Sequence, residues 1–285
     1  MTLRQLREYI TKELTPAVGG TEASAMAAVI MEDVLKADSV TIALNPEREV
    51  EPENLSQVES ITRRVIAGEP LQYILGSTFF HGLRLKVNKG VLIPRPETSA
   101  LVDIVCDTVG KRSDLSVLDV GTGSGAIAVA LARELPFSSV TAVDFSDIAV
   151  ATTQANCEAL GVKNVKVMKR DILAAGLPAA EYDIIVSNPP YVEPCEKASI
   201  DSRVLDYEPH SALFVPESNP LVFYRRIVND ASEYLKLGGW LFFEINPRQA
   251  DNMKALLKHN DFEMVEILRD YTGKNRYAVA QKTAK

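Results

Sequence analysis

The chain has few of the residues that usually reveal a metal or redox protein. Its three cysteines, Cys106, Cys157 and Cys195, are scattered and form no C-x-x-C pair. That pattern excludes a disulfide framework or a cysteine-based zinc site and suits a reducing compartment. Three histidines, His81, His210 and His259, are equally isolated, so no histidine metal site is expected. Positive charge is also short, with 31 Lys and Arg against 38 Asp and Glu, a net charge of −7. Neither residues 1–90 (−2) nor the remainder (−5) is basic, which argues against stable nucleic-acid binding through phosphate neutralisation. No apolar run approaches the ~18 residues of a membrane span. The opening MTLRQLREYITKELT lacks the apolar core of a signal peptide. The expectation is a cytoplasmic protein that needs neither a metal nor a membrane.

What the chain does have is the 46% hydrophobic and 24% charged composition of a globular protein. At 285 residues it is long enough for one large domain or two ordinary ones. Residues 1–76 read as a helical bundle. Thr2 caps a first helix through Leu3, Leu6, Ile10 and Leu14, and Thr21 opens a second through Met26, Val29, Ile30 and Val34. Pro52 starts a third through Leu55, Val58, Ile61 and Val65. Residues 77–98 change to alternating, β-prone sequence around Gly82 and then the stiff IPRPE, which predicts a hairpin and proline-rich linker.

Over residues 99–285 apolar strands alternate with helices. Strands are expected at 116–120, 140–144, 165–169, 183–187, 240–245, 263–268 and 276–280. Helices are expected near 124–134, 147–160, 219–236 and 247–259. This is the pattern of an α/β, doubly wound, seven-stranded and mostly parallel sheet. The last two strands are joined only by DYTGKNR, too short for a crossover helix, so an antiparallel strand at one edge is expected.

The first strand runs into Asp119-Val-Gly-Thr-Gly-Ser-Gly-Ala126. Glycines between a parallel strand and a helix let the backbone approach a ligand, beside a helix N-terminus with free N–H groups. Gly121, Thr122, Gly123, Ser124 and Gly125 are therefore candidate cofactor residues. Asp144, at the end of the second strand, is placed to accept bonds from ribose hydroxyls. The glycines alone leave a dinucleotide such as NAD open. Asp171, after the third strand, has two readings, an adenine neighbour or a helix N-cap.

The fourth strand ends in Ser187-Asn188-Pro189-Pro190-Tyr191. If it neighbours the glycine-loop strand, Asn188 faces the reactive end of the cofactor. Consecutive prolines, without N–H and with fixed φ, form a rigid wall of carbonyl acceptors. Such a wall suits methylation of a planar amide or amino nitrogen. The Asn188 oxygen and the Pro189 carbonyl each accept one N–H and aim the nitrogen lone pair. Tyr191 offers a stacking face. S-adenosylmethionine brings its own activated sulfonium, so orientation matters more than acid–base catalysis.

These motifs, together with EPLQYILG (69–76), LIPRPET (92–98), YEPHSAL (207–213), LGGWLFFEI (237–245) and DYTGKNR (270–276), carry a resemblance over nearly the whole length. The chain resembles the release-factor glutamine methyltransferases (the HemK/PrmC family) among the class I S-adenosylmethionine-dependent methyltransferases. The resemblance implies a helical substrate-recognition domain and a Rossmann-like catalytic domain. It also implies methyl transfer to N5 of the glutamine in the Gly-Gly-Gln loop of class I peptide chain release factors. By position, Gly121 to Gly125 and Asp144 would bind the cofactor, Ile172 would make an aliphatic contact with the adenine, and Asn188 to Tyr191 would bind the glutamine amide. Two positions depart from similar sequences. Ser99 stands where Glu is expected after PRPET, and Asn246 where Gly is usual after the fifth strand; both bear on loop geometry and neither on the core chemistry. A ribosomal-protein glutamine methyltransferase differs only in substrate. An adenine-N6 methyltransferase would need a base-flipping pocket and a basic track. Arg95 and Glu97 read either as substrate contacts or as packing ion pairs, and residues 192–219 as a binding loop.

Overall fold

The helical signal at the start of the chain is realised from Thr2. In a computed structural model, which describes residues 1–260 and 262–283, the Thr2 hydroxyl accepts from the Gln5 amide, and the Gln5 side chain accepts from the Thr2 amide. This reciprocal cap opens α1 (Leu3–Val18). It is followed by α2 (Gly20–Leu35), α3 (Ser39–Leu44), α4 (Pro52–Ile66) and α5 (Leu71–Leu75). Leu3, Leu6, Ile10 and Leu14 of α1 pack with Ala23, Ala27, Ile30 and Met31 of α2 and with Val58, Ile61 and Val65 of α4. The buried stripe of α2 thus runs along its alanines. Val29, expected on that stripe, is 41% exposed. The short helices α3 and α5 have too few turns to give a periodic signal.

The chain divides into two compact units, Met1–Gly76 with Asp201–Tyr207, and Ser77–Ile200 with Glu208–Lys285. In the first unit, Arg203 holds Glu22 of α2 at 2.8 Å. The second unit begins with the expected hairpin, β1 (Ser77–Phe80) and β2 (Leu83–Lys86). The proline-rich segment does not stay extended to residue 98. It enters α6 (Pro96–Val109), a helix absent from the sequence reading. Pro96 sits in the first turn, where its missing N–H has no intrahelical partner to lose.

The rest alternates strand and helix: β3 (Ser116–Val120), α7 (Ala126–Glu134), β4 (Ser139–Asp144), α8 (Asp147–Ala159), β5 (Val165–Lys169), α9 (Ile172–Ala175), β6 (Tyr182–Ser187), α10 (Ser202–Tyr207), α11 (Val222–Tyr234), β7 (Leu235–Glu244), α12 (Ala250–His259), β8 (Phe262–Arg269) and β9 (Asn275–Lys282). Strand order is β5-β4-β3-β6-β7-β9-β8. All neighbours are parallel except β7–β9 and β8–β9. The antiparallel strand is therefore β9, one place in from the edge strand β8. Strand β7 starts five residues earlier than expected because α11 passes into it without a loop.

Alternate residues of the sheet face opposite ways. Val117, Ile184, Val186 and Phe242 pack with α6 and α7, whereas Leu118, Ile185, Leu241 and Phe243 pack with α11 and α12. Chain order reverses between β3 and β6, so their carboxyl ends form the switch point where open α/β sheets bind ligands. Among the described residues no helix is long and apolar enough to cross a membrane.

Candidate active site

At the end of β3 the chain turns against β4. The amides of Gly121 and Thr122 both donate to the Val143 carbonyl, at 2.9 and 3.0 Å. Gly125 begins α7 with φ +82°, and a Cβ there would stand 2.8 Å from Thr153 Cγ2. Only glycine meets both conditions without strain. From α8, the Thr153 hydroxyl donates to the Gly123 carbonyl (3.1 Å) and the Asn156 amide to the Ser124 carbonyl (2.8 Å). Asn156 also exchanges bonds with both backbone groups of Lys86 in β2, so one side chain ties the hairpin to the glycine loop.

Two carboxylates lie at this loop. Asp144 accepts from the amides of Gly123 (2.9 Å) and Ser146 (3.0 Å); its burial raises its pKa and those bonds oppose the rise. Asp119 is fully buried. Its Oδ2 accepts from the Thr122 hydroxyl (2.7 Å) and the Ala128 amide (3.2 Å), while Oδ1 has no hydrogen-bond partner among the described residues. Burial pushes this carboxyl up to about 7.

An open cleft lies along these strand ends, lined by Gly121, Gly123, Asp144, Asp171, Ile172 and Asn188 among others. Thr122, Ser124 and Gly125 are not on its surface. Thr122 and Ser124 are buried, and all three shape the loop from behind. The N-cap reading of Asp171 is realised, since it caps α9 by accepting from Leu173 and Ala174, and the residue also lines the cleft.

The opposite wall grows from β6. Ser187 stands beside Val120, and its hydroxyl donates to the Val120 carbonyl (2.7 Å), stitching the two strand ends together. Asn188 and Pro189 follow, and they border both the large cleft and a second, smaller cavity. Arg95, Tyr191 and Leu213 are among the other residues lining that cavity.

Behind the wall runs a side-chain network. Asn188 Nδ2 donates to Thr98 Oγ1 (3.1 Å), and the Thr98 hydroxyl donates to Glu244 Oε2 (2.7 Å). The Tyr191 hydroxyl donates to Glu244 Oε1 (3.0 Å), with Arg276 Nη1 at 3.5 Å from the same hydroxyl. Burial first, then the neighbouring carboxylate, pushes the Tyr191 phenol well above its ordinary value, so it keeps its proton. The Tyr277 hydroxyl donates to the Glu97 carbonyl (2.7 Å), fixing the first turn of α6 and with it Thr98.

Thr98, Glu244 and Arg276 were not singled out by sequence reasoning, although each lies in a segment that carried the resemblance. Glu244 had a signal of its own, a lone carboxylate ending the apolar run WLFFE, since buried acids are rare unless paired. Asn246 bears on loop geometry, donating to the Tyr191 carbonyl (3.0 Å) and to Glu196 (2.6 Å). Ser99 pairs instead with His81 at 3.0 Å. Arg95 forms an ion pair with Glu208 (2.6 Å) and still lines the smaller cavity. Glu97 accepts from the Tyr271 hydroxyl (3.0 Å).

Fold and site together define a methyltransferase. A family model described as "Methyltransferase small domain" matches residues 98–206. A Pyrococcus furiosus methyltransferase shares the fold at TM-score 0.53 with 18% identity, covering 71% of this chain and 90% of that one. A second model, "PrmC N-terminal domain", matches residues 5–76. The release factor glutamine methyltransferase of Bacteroides thetaiotaomicron is 38% identical over 98% of this chain and 100% of its own length. That of Streptococcus pneumoniae is 42% identical over 82% of each. The chain belongs to the release factor glutamine methyltransferase family.

Proposed function

We propose that this protein transfers the methyl group of S-adenosylmethionine to the side-chain amide N5 of the glutamine in the Gly-Gly-Gln motif of class I peptide chain release factors. The observation that carries this reading is the double exposure of Asn188 and Pro189, which border the large cleft and a smaller cavity at once. A methyl donor on one side and a planar amide on the other would meet at that wall.

The large cleft suits the cofactor by its chemistry. The Asp144 carboxylate has lone pairs beyond those given to Gly123 and Ser146 and would accept from ribose hydroxyls. Ile172 would lie against the adenine, with Asp171 at its edge. When bound, S-adenosylmethionine supplies a methyl group on a positively charged sulfur, an activated electrophile. The chain's part is then to orient the acceptor. An amide nitrogen is a poor nucleophile because its lone pair is delocalised. Asn188 Oδ1 would accept one N–H and the Pro189 carbonyl the other, drawing the nitrogen toward pyramidal geometry. Tyr191 would support the flat amide. The two prolines keep this wall from relaxing, so the gain is one of pre-organisation.

The test is incubation with labelled S-adenosylmethionine and three acceptors: a class I release factor, a ribosomal protein and single-stranded DNA. Label on the Gly-Gly-Gln glutamine, located by peptide mass mapping, is the expected result. Label confined to either other acceptor would overturn the assignment.

A further inference from the structure

An asparagine amide can grip a substrate N–H only if its oxygen, and not its NH2, faces the substrate. The two ends differ little in size, so packing alone does not choose between them, and something must set the polarity. The bonds behind Asn188 do so in sequence. Glu244, on β7 and buried, is acceptor-only when ionised. Its Oε1 takes the Tyr191 hydroxyl and its Oε2 takes the Thr98 hydroxyl. The single Thr98 proton is then committed, so toward Asn188 the hydroxyl presents only lone pairs. Asn188 must answer with Nδ2, as it does at 3.1 Å. Its Oδ1 is left as the end available to the acceptor.

We propose that Thr98 is a positioning residue that fixes the amide polarity of Asn188 through a one-way hydrogen-bond relay from Glu244. The inference rests on the role of Asn188 set out above. Thr98 lines neither the cleft nor the smaller cavity, so it would act only through its hydroxyl. It stands two residues into a helix started by Pro96, on a turn held by Tyr277, so the relay begins from a fixed point.

Two substitutions separate this role from packing. Thr98→Val keeps the shape and loses the hydroxyl; Thr98→Ser keeps the hydroxyl and loses a methyl group. A relay requires Ser to outperform Val, whereas a packing role requires the reverse. The expected result is a fall in kcat of about 10- to 100-fold for Thr98→Val, the scale of a small misplacement of a reacting group. Cofactor affinity by calorimetry should stay within about threefold, and Thr98→Ser should keep kcat within about threefold. Glu244→Gln tests the source of the polarity without touching Thr98. Its carboxamide can donate to the Thr98 oxygen and reverse the relay, so kcat should fall as far as in Thr98→Val. Wild-type turnover in Thr98→Val or in Glu244→Gln, or a Ser variant as slow as Val, overturns the inference. Asn188→Ala run alongside distinguishes the two levels. If it methylates normally, the amide clamp itself fails; if it is inactive while Thr98→Val is normal, only the relay fails.

Discussion

The glycine loop after β3 and the Asn188 wall after β6 end neighbouring strands, yet they are held by different kinds of bond. The loop is fixed largely through its own backbone: its amides donate to Val143 and Asp144, and its carbonyls accept from Thr153 and Asn156. The wall is fixed by side chains from distant segments: Thr98 on α6, Glu244 on β7, Arg276 on β9 and Asn246 just past β7. A backbone cradle accepts any ligand of the right shape and charge, which suits a cofactor common to many enzymes. A side-chain network can set one polarity at one atom, which suits a reaction that turns on the direction of a lone pair.

The largest expected effect separates the two walls outright. Asn188→Ala should reduce methyl transfer by on the order of 10³-fold or more, since on the proposed reading it removes an interaction aimed at the reacting nitrogen. Cofactor affinity should stay within roughly tenfold, because the loop is untouched. Near-normal turnover, measured with labelled cofactor, would show that the wall does not orient the acceptor.

On the loop side the exceptional group is Asp119, whose Oδ1 is buried without a partner among the described residues. Its folded-state pKa, about 7, lies above the ordinary 3.8. The folded protein therefore holds the proton more tightly than the unfolded chain. The associated stability is complete below about pH 4 and is lost as pH rises toward 7. Asp119→Asn cannot ionise and keeps an oxygen for Thr122 and Ala128. Relative to this variant, the cofactor-free wild type should lose on the order of 3 kcal/mol between pH 4.5 and 8, at about 1.4 kcal/mol per pH unit. Urea unfolding across that range measures it, and parallel profiles would mean that the burial of Asp119 is relieved.

A smaller effect on the same side comes from Asp144. Its carboxylate accepts two backbone amides and, on the proposed reading, ribose hydroxyls as well. Hydrogen bonds to a charged group are worth about 1.5–3 kcal/mol, so Asp144→Ala should weaken cofactor binding by about 10- to 100-fold. Unchanged affinity in calorimetry would place the ribose elsewhere.

How far each wall could be read in advance follows from how it is built. Gly121, Gly123 and Asp144 were legible because strand, glycine turn and acidic strand end recur at fixed spacing, and a backbone cradle needs nothing else. The seven strands were legible because apolar runs between turn signals have a period. Helix α6 was not, because two prolines that stiffen a linker are equally at home before and within a first helical turn. Thr98 was hidden along with it. Its partners lie 90 and 146 residues away, and no local pattern encodes a side-chain bond over such separations. Thr153 and Asn156 were hidden for a related reason: mid-helix polar residues usually face solvent, and these face a loop.

The smallest expected effect tests how tightly the wall is held from outside the relay. Asn246 spends its amide on the Tyr191 carbonyl and on Glu196, and its oxygen accepts from the Arg248 amide. Asn246→Gly removes all three bonds while leaving Thr98, Glu244 and Asn188 in place. Tyr191 keeps its hydroxyl bond to Glu244, so the ring stays anchored at its far end and only its backbone loosens. The expected result is a three- to tenfold loss of kcat/KM on the release factor, about the worth of one net hydrogen bond, with cofactor affinity unchanged. A loss as large as that of Asn188→Ala would mean that the wall depends on its backbone as much as the glycine loop does, and the contrast between the two sides would collapse.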